Sequence, residues 1–189
     1  MANVSRINGF RPLKYQSGKP YFGAVTMYQV DATDTTALGI GDMVKLDGTA
    51  SAAGIRGVTR ATLSAPCIGA IVGFVIDPAD LNTPQHRAAS TLRYALVADD
   101  PDLLFVAEAN ATVTAALLGN NCELTIAAAS TVTGMSAMQV DISVTGTTNT
   151  SALKLVEILQ SSDNAIGTYN KVVVKINNHQ MGSLGTLGV

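Results

Sequence analysis

Tryptophan is absent from this 189-residue chain, and aromatic residues supply only 5% of it. Charged residues are also scarce, at 14%, against about 25% in an average soluble domain. With a net charge of −2 and its lysines and arginines dispersed, the chain lacks the basic face that attracts phosphates, which argues against a nucleic-acid partner. No run of about 18 apolar residues marks a membrane-spanning helix. The first twenty residues lack the basic-then-apolar plan of a secretion signal. The expectation is a protein that stays in the cytoplasm where it is made, with no membrane partner.

Catalytic chemistry is equally thin. There are two histidines, His86 in a Pro-Gln-His-Arg loop and His179 near the C-terminus, and no Gly-x-Ser-x-Gly stretch precedes either. A Ser–His–Asp arrangement therefore has no visible base. Cys67 and Cys122 fit no metal-ligand spacing and sit in apolar, strand-like settings, as buried free thiols do. Gly39-Ile-Gly41 lacks the third glycine and the following helix of a dinucleotide loop. Asp99, Asp100 and Asp102 form the densest carboxylate group. They flank Pro101, so a turn explains them better than a calcium site does. No catalytic, cofactor-binding or metal-ligating residue is assigned, and the chain is expected not to be an enzyme.

What the chain does have is Ala, Val, Thr, Ser and Gly in short β-prone runs. Strands are predicted at 21–30, 43–46, 67–76, 91–98, 102–108, 122–127, 138–142, 153–160 and 169–176, with a short helix at 112–118. Asp47-Gly48 is read as the turn closing one of them, and 99–101 as the turn of a hairpin joining 91–98 to 102–108. Even strand spacing with little helix predicts an all-β fold, a compact β-barrel or β-sandwich. The expected division is an extended N-terminal arm at 1–20, a β-rich core at 21–176 and a C-terminal tail at 177–189. Both ends look irregular yet carry apolar residues that a merely solvated tail does not need: Val4, Ile7, Phe10 and Leu13, then Met181, Leu184, Leu187 and Val189. The arm also holds a small positive excess in Arg6, Arg11, Lys14 and Lys19. Such ends point to assembly, with Arg6, Ile7, Phe10, Arg11, Leu13 and Tyr15 as candidate partner contacts. His179, Met181, Leu184 and Leu187 are the candidate contacts to a sister subunit.

Three stretches carry a family likeness: Val4-Ser-Arg-Ile-Asn-Gly-Phe-Arg-Pro12, the run Arg87–Pro101, and Lys175-Ile-Asn-Asn-His-Gln180. Together they resemble small virion proteins of tailed bacteriophages, the capsid cement or decoration proteins. The resemblance implies a non-enzymatic protein on the outer surface of an icosahedral capsid, bridging subunits of the major capsid protein. It brings no catalytic or ligand residues. Self-association gains avidity on a repeating shell; a homotrimer is favoured, with a dimer as the alternative. Other virion roles, in a tail or head fibre, and a cell-wall hydrolase are the competing readings. On the arm reading, deletion of residues 2–20 is expected to leave a folded protein that no longer binds capsids.

Overall fold

The computed structural model describes residues 3–182. Its strands are β1 (Arg11–Tyr15), β2 (Thr26–Val30), β3 (Met43–Ala50), β4 (Arg56–Arg60), β5 (Gly69–Phe74), β6 (Arg93–Ala98), β7 (Leu103–Glu108), β8 (Asn121–Thr125), β9 (Gln139–Gly146), β10 (Leu153–Ile158) and β11 (Lys171–Ile176). The helix expected at 112–118 is a single 3-10 turn, Ala115–Leu117. The fold is thus largely β, in two sheets. Among the described residues no helix is long and apolar enough to cross a membrane.

The larger sheet has six strands in the order β1-β7-β11-β10-β8-β9. The smaller takes β2, β4, β3, β5 and β6, each hydrogen-bonded to the next and β6 back to β2. The expected β-barrel is corrected here. The chain divides between two sheets, and the larger is open, ending at β1 and β9. The ring of the smaller one meets at β2 and β4 through a single parallel pair, Gln29 with Gly57, and not along a continuous ladder.

The hairpin expected across 99–101 is also corrected. β6 pairs with β2 and β5, whereas β7 pairs with β1 and β11, so the turn hands the chain from one sheet to the other. Burial explains the separation. Every residue of β7 is buried, and a strand apolar on both faces needs cover on both. Leu103, Phe105 and Ala107 face the layer between the sheets, while Leu104 and Val106 join Val173 in a small outer cluster. Asp47-Gly48 is likewise no turn. β3 runs through it with a shift of register between Leu46 and Ala50, and the chain reverses at 51–55 instead.

Two apolar layers result. Tyr28, Val30, Val44, Val58, Ile71, Ala95 and Val97 fill the inside of the smaller sheet. Met43, Cys67, Ala70 and Ala98 turn the other way and pack with Phe105, Val172, Val174, Leu153 and Leu155 of the larger one. The small side chains of Ala70 and Ala98 let the sheets approach, which is one use of the alanine-rich composition. Cys67 and Cys122 both lie in this layer as free thiols. Burial pushes each up to about 12, leaving them protonated and inert.

Arg87, which opens one of the family-like stretches, is wholly buried. Its guanidinium donates to the carbonyls of Thr91 (2.8 Å), Thr36 (2.5 Å), Asp31 (2.6 Å) and Asp34 (2.8 Å). A fork of donors satisfied by backbone fixes the 31–36 loop; its role is architectural.

Candidate functional site: the N-terminal strap

Residues 3–8 run along the outside of the molecule, and the segment 3–10 is fastened at three points. At the start, the Asn3 side chain donates to the carbonyls of Ala165 (2.7 Å) and Thr168 (2.8 Å), and accepts from the Ala165 N–H at 2.8 Å. In the middle stands Glu108, the last residue of β7, only 4% exposed. Its carboxylate accepts from the Ser5 hydroxyl at 2.9 Å, the Arg6 backbone N–H at 2.5 Å and the Gln139 side-chain amide at 3.0 Å. At the end, the Phe10 N–H donates to the Gly41 carbonyl at 2.9 Å, and its ring is fully buried between the sheets.

The last anchor depends on glycine. Gly9 has φ +66°, and a Cβ there would lie 2.4 Å from Ser136 Cβ and 2.5 Å from the Gly41 oxygen. Gly41 in turn has φ +94° and would press a Cβ to 2.6 Å from the Asn8 oxygen. The two glycines let the strap cross the 38–42 turn at backbone contact. The Gly39-Ile-Gly41 pair is therefore part of a chain crossing. Beside it, Asp42 is buried, accepts the Gly39 N–H at 2.8 Å, and is raised above the usual carboxylate range chiefly by burial.

Between the anchors the side chains turn outward. Val4 (62%) and Ile7 (39%) are exposed apolar groups, and Arg6 and Arg11 are exposed cations. Neither arginine is among the ion pairs of the described residues, which use Lys14, Arg87, Lys171 and Lys175. The remaining arm candidates face home. Phe10 belongs to the core, which corrects its reading as a partner contact. Leu13 is half-buried on the outer cluster, and Tyr15 packs on the layer between the sheets. A bulge between Pro12 and Lys14 sends these two, an even number of residues apart, to opposite faces.

Both edges of the larger sheet are partly covered by their own chain. Outside β1, Tyr15 donates to Lys19 (2.8 Å) and Tyr21 to Leu13 (3.3 Å). Outside β9, Asn110 donates to Val140 at 3.0 Å. Self-capping of this kind blunts edge-to-edge pairing.

At the other end, Asn177 donates to the Ala152 carbonyl beside the larger sheet at 2.8 Å, and residues 178–182 continue against the smaller one. Cys67 donates to the Asn178 carbonyl (3.0 Å), Gln180 to the Cys67 carbonyl (2.9 Å), and Leu46 to the Gln180 side-chain oxygen (2.6 Å). His179 is buried at 5% exposure, and its Nδ1 accepts the Met181 N–H at 3.0 Å. Burial holds the imidazole below its ordinary value, against the backbone of Ile68 and Asp99 and the carboxylates of Asp99 and Asp100. Met181 is exposed, with its sulfur 2.7 Å from Arg56 Nη1. Leu184 and Leu187 lie outside the described residues.

The Asp99–Asp102 group is dispersed among separate partners. Asp99 accepts from the Tyr28 hydroxyl (2.7 Å) and Thr26 (3.1 Å), Asp100 from the Asp102 N–H (2.8 Å), and Asp102 pairs with Lys175 (2.8 Å). Among the described residues no set of three or more His, Cys, Asp or Glu side chains is placed to hold a metal. Sequence reasoning passed over Asn3 and Glu108, although a lone carboxylate ending the apolar run Leu103–Ala107 was a visible signal.

Comparison with protein-family models, curated proteins and solved structures finds no match for this chain.

Proposed function

We propose that the chain is a structural virion protein that sits on the outer surface of a tailed-phage capsid and bridges major capsid protein subunits through its N-terminal strap. One observation carries the reading. Residues 3–10 are held in place by Asn3, Glu108 and Phe10, yet present Val4, Arg6 and Ile7 to the outside. Exposed apolar side chains on an ordered backbone have already met their ordering cost before a partner arrives, which favours tight contact. The likeness of Val4–Pro12 to cement proteins points to the capsid as that partner. Repeated weak contacts add up when copies are joined, and a homotrimer suits three-fold positions of the shell.

The test is cosedimentation of the purified chain with expanded capsid shells of the phage that encodes it. The wild type is expected to pellet with shells, and the double variant V4E/I7E to remain in the supernatant while keeping its unfolding transition. Undiminished pelleting of V4E/I7E overturns the strap as the contact. Light scattering on the free chain checks association: the expected mass is three times 19.5 kDa.

A further inference from the structure

A cleft of about 190 Å³ opens between the strap and the larger sheet, lined in part by Arg6, Asn8, Arg11, Ala107, Glu108 and Lys171. We propose that this cleft receives an acidic side chain, Asp or Glu, of the partner protein; the proposal rests on the strap being the partner-facing surface.

The charges around the cleft set its preference. Glu108 at its wall is held by three neutral donors, the Ser5 hydroxyl, the Arg6 backbone N–H and the Gln139 amide. It needs no cationic side chain to satisfy it. Lys171 is already committed, with its Nζ 2.6 Å from Asp163 Oδ2. That pairing, with the Ser161 hydroxyl, holds the Asp163 carboxyl at about 2. Arg6 and Arg11 remain, exposed and in no ion pair of the described residues. A guanidinium presents planar donors that match a carboxylate in two parallel hydrogen bonds. Two of them beside a protein wall act on a charge more strongly than in open water. Size narrows the ligand further. The cleft lies below the roughly 300 Å³ at which small-molecule sites begin, so it suits one inserted side chain. The negative charge of Glu108 repels a second carboxylate from the wall it forms, which leaves Arg6 and Arg11 as the inserted acid's partners.

The experiment titrates the full-length, ¹⁵N-labelled chain at low salt with three probes: the blocked peptide Gly-Glu-Gly, its Gly-Gln-Gly twin, and inorganic phosphate. The glutamate peptide is expected to give saturable amide shifts at Gly9, Ala107 and Lys171. The glutamine twin is expected to bind at least tenfold more weakly, and R6Q/R11Q to abolish the response with the rest of the spectrum unchanged. Equal response to the glutamine twin, no response to the glutamate peptide, or tighter saturation by phosphate overturns the proposal. In the capsid assay, R6E/R11E is expected to lower affinity at least tenfold. Full capsid binding by R6E/R11E sinks the acidic-partner inference and leaves the strap reading standing. Peptide binding by a chain that ignores capsids overturns the capsid as partner and leaves the cleft's preference for a carboxylate standing.

Discussion

The segments 3–10 and 177–182 are both docked on the body, but they spend their side chains in opposite ways. The C-terminal segment commits its side chains to the body: His179 is buried, the Gln180 side chain accepts a backbone N–H of β3, and the exposed Met181 sulfur meets Arg56. It behaves as a latch on the smaller sheet. The N-terminal strap is held by its backbone, Asn3 and Phe10, and leaves Val4, Arg6, Ile7 and Arg11 with little to do at home. Irregular sequence and apolar content are common to both ends. Which side chains the fold consumes is what separates a fastening from a contact surface.

The comparison breaks first at Phe10. If the strap is rooted in the core, Phe10→Ala costs about 3–5 kcal/mol, measured by urea unfolding. Deleting residues 2–20 then removes that ring and strand β1 together, so the truncated chain is expected to lose its cooperative transition. This replaces the expectation, drawn from sequence, of a folded truncation. Next comes Glu108→Ala, which removes the shared carboxylate acceptor of the part-buried Ser5, Arg6 and Gln139 hydrogen bonds. A loss of about 1–3 kcal/mol is expected, with faster hydrogen exchange at the Arg6 amide and unchanged exchange at Met181.

The latch answers to pH instead. His179 is depressed in the folded state and titrates near 6.5 when unfolded. Above that value both states are neutral and the group contributes no pH dependence. As pH falls through 6.5 the unfolded chain takes up the proton first, so stability declines until the folded imidazole also protonates. The decline is expected to be smaller in H179Q, with exchange at the Met181 amide rising at low pH in the wild type only. The smallest effect is expected for Arg6→Glu alone, which should change stability by no more than about 0.5 kcal/mol. A larger loss would mean that the exposed guanidinium serves the fold after all.

Much of the strand content was legible because β-branched runs such as Lys171–Ile176 have one good use. Sheet membership was not. Asp99–Pro101 reads locally as a hairpin turn, and only the two-sided burial of β7 shows why the chain must change sheets there. Asp47-Gly48 misled in the same way, since the bulge it forms depends on the β4 partner. In the arm, Arg6 and Ile7 were named as candidate contacts by residue type, and the fold leaves both exposed. Phe10 was grouped with them because burial between two sheets leaves no periodic mark in a segment crossing a turn. Glu108 and Asn3 escaped notice because the strap contacts they make join residues 102 or more apart in sequence.

On the proposed reading the strap is a pre-ordered contact surface for a capsid subunit. A particle reconstruction with the chain bound tests it most directly. Residues 4–11 are expected against the shell, with Val4 and Ile7 in apolar contact and Arg6 or Arg11 within hydrogen-bonding distance of a capsid carboxylate. Attachment through another face, such as the apolar groove around Val75, Ile76 and Leu92, with the strap left in solvent, would contradict it.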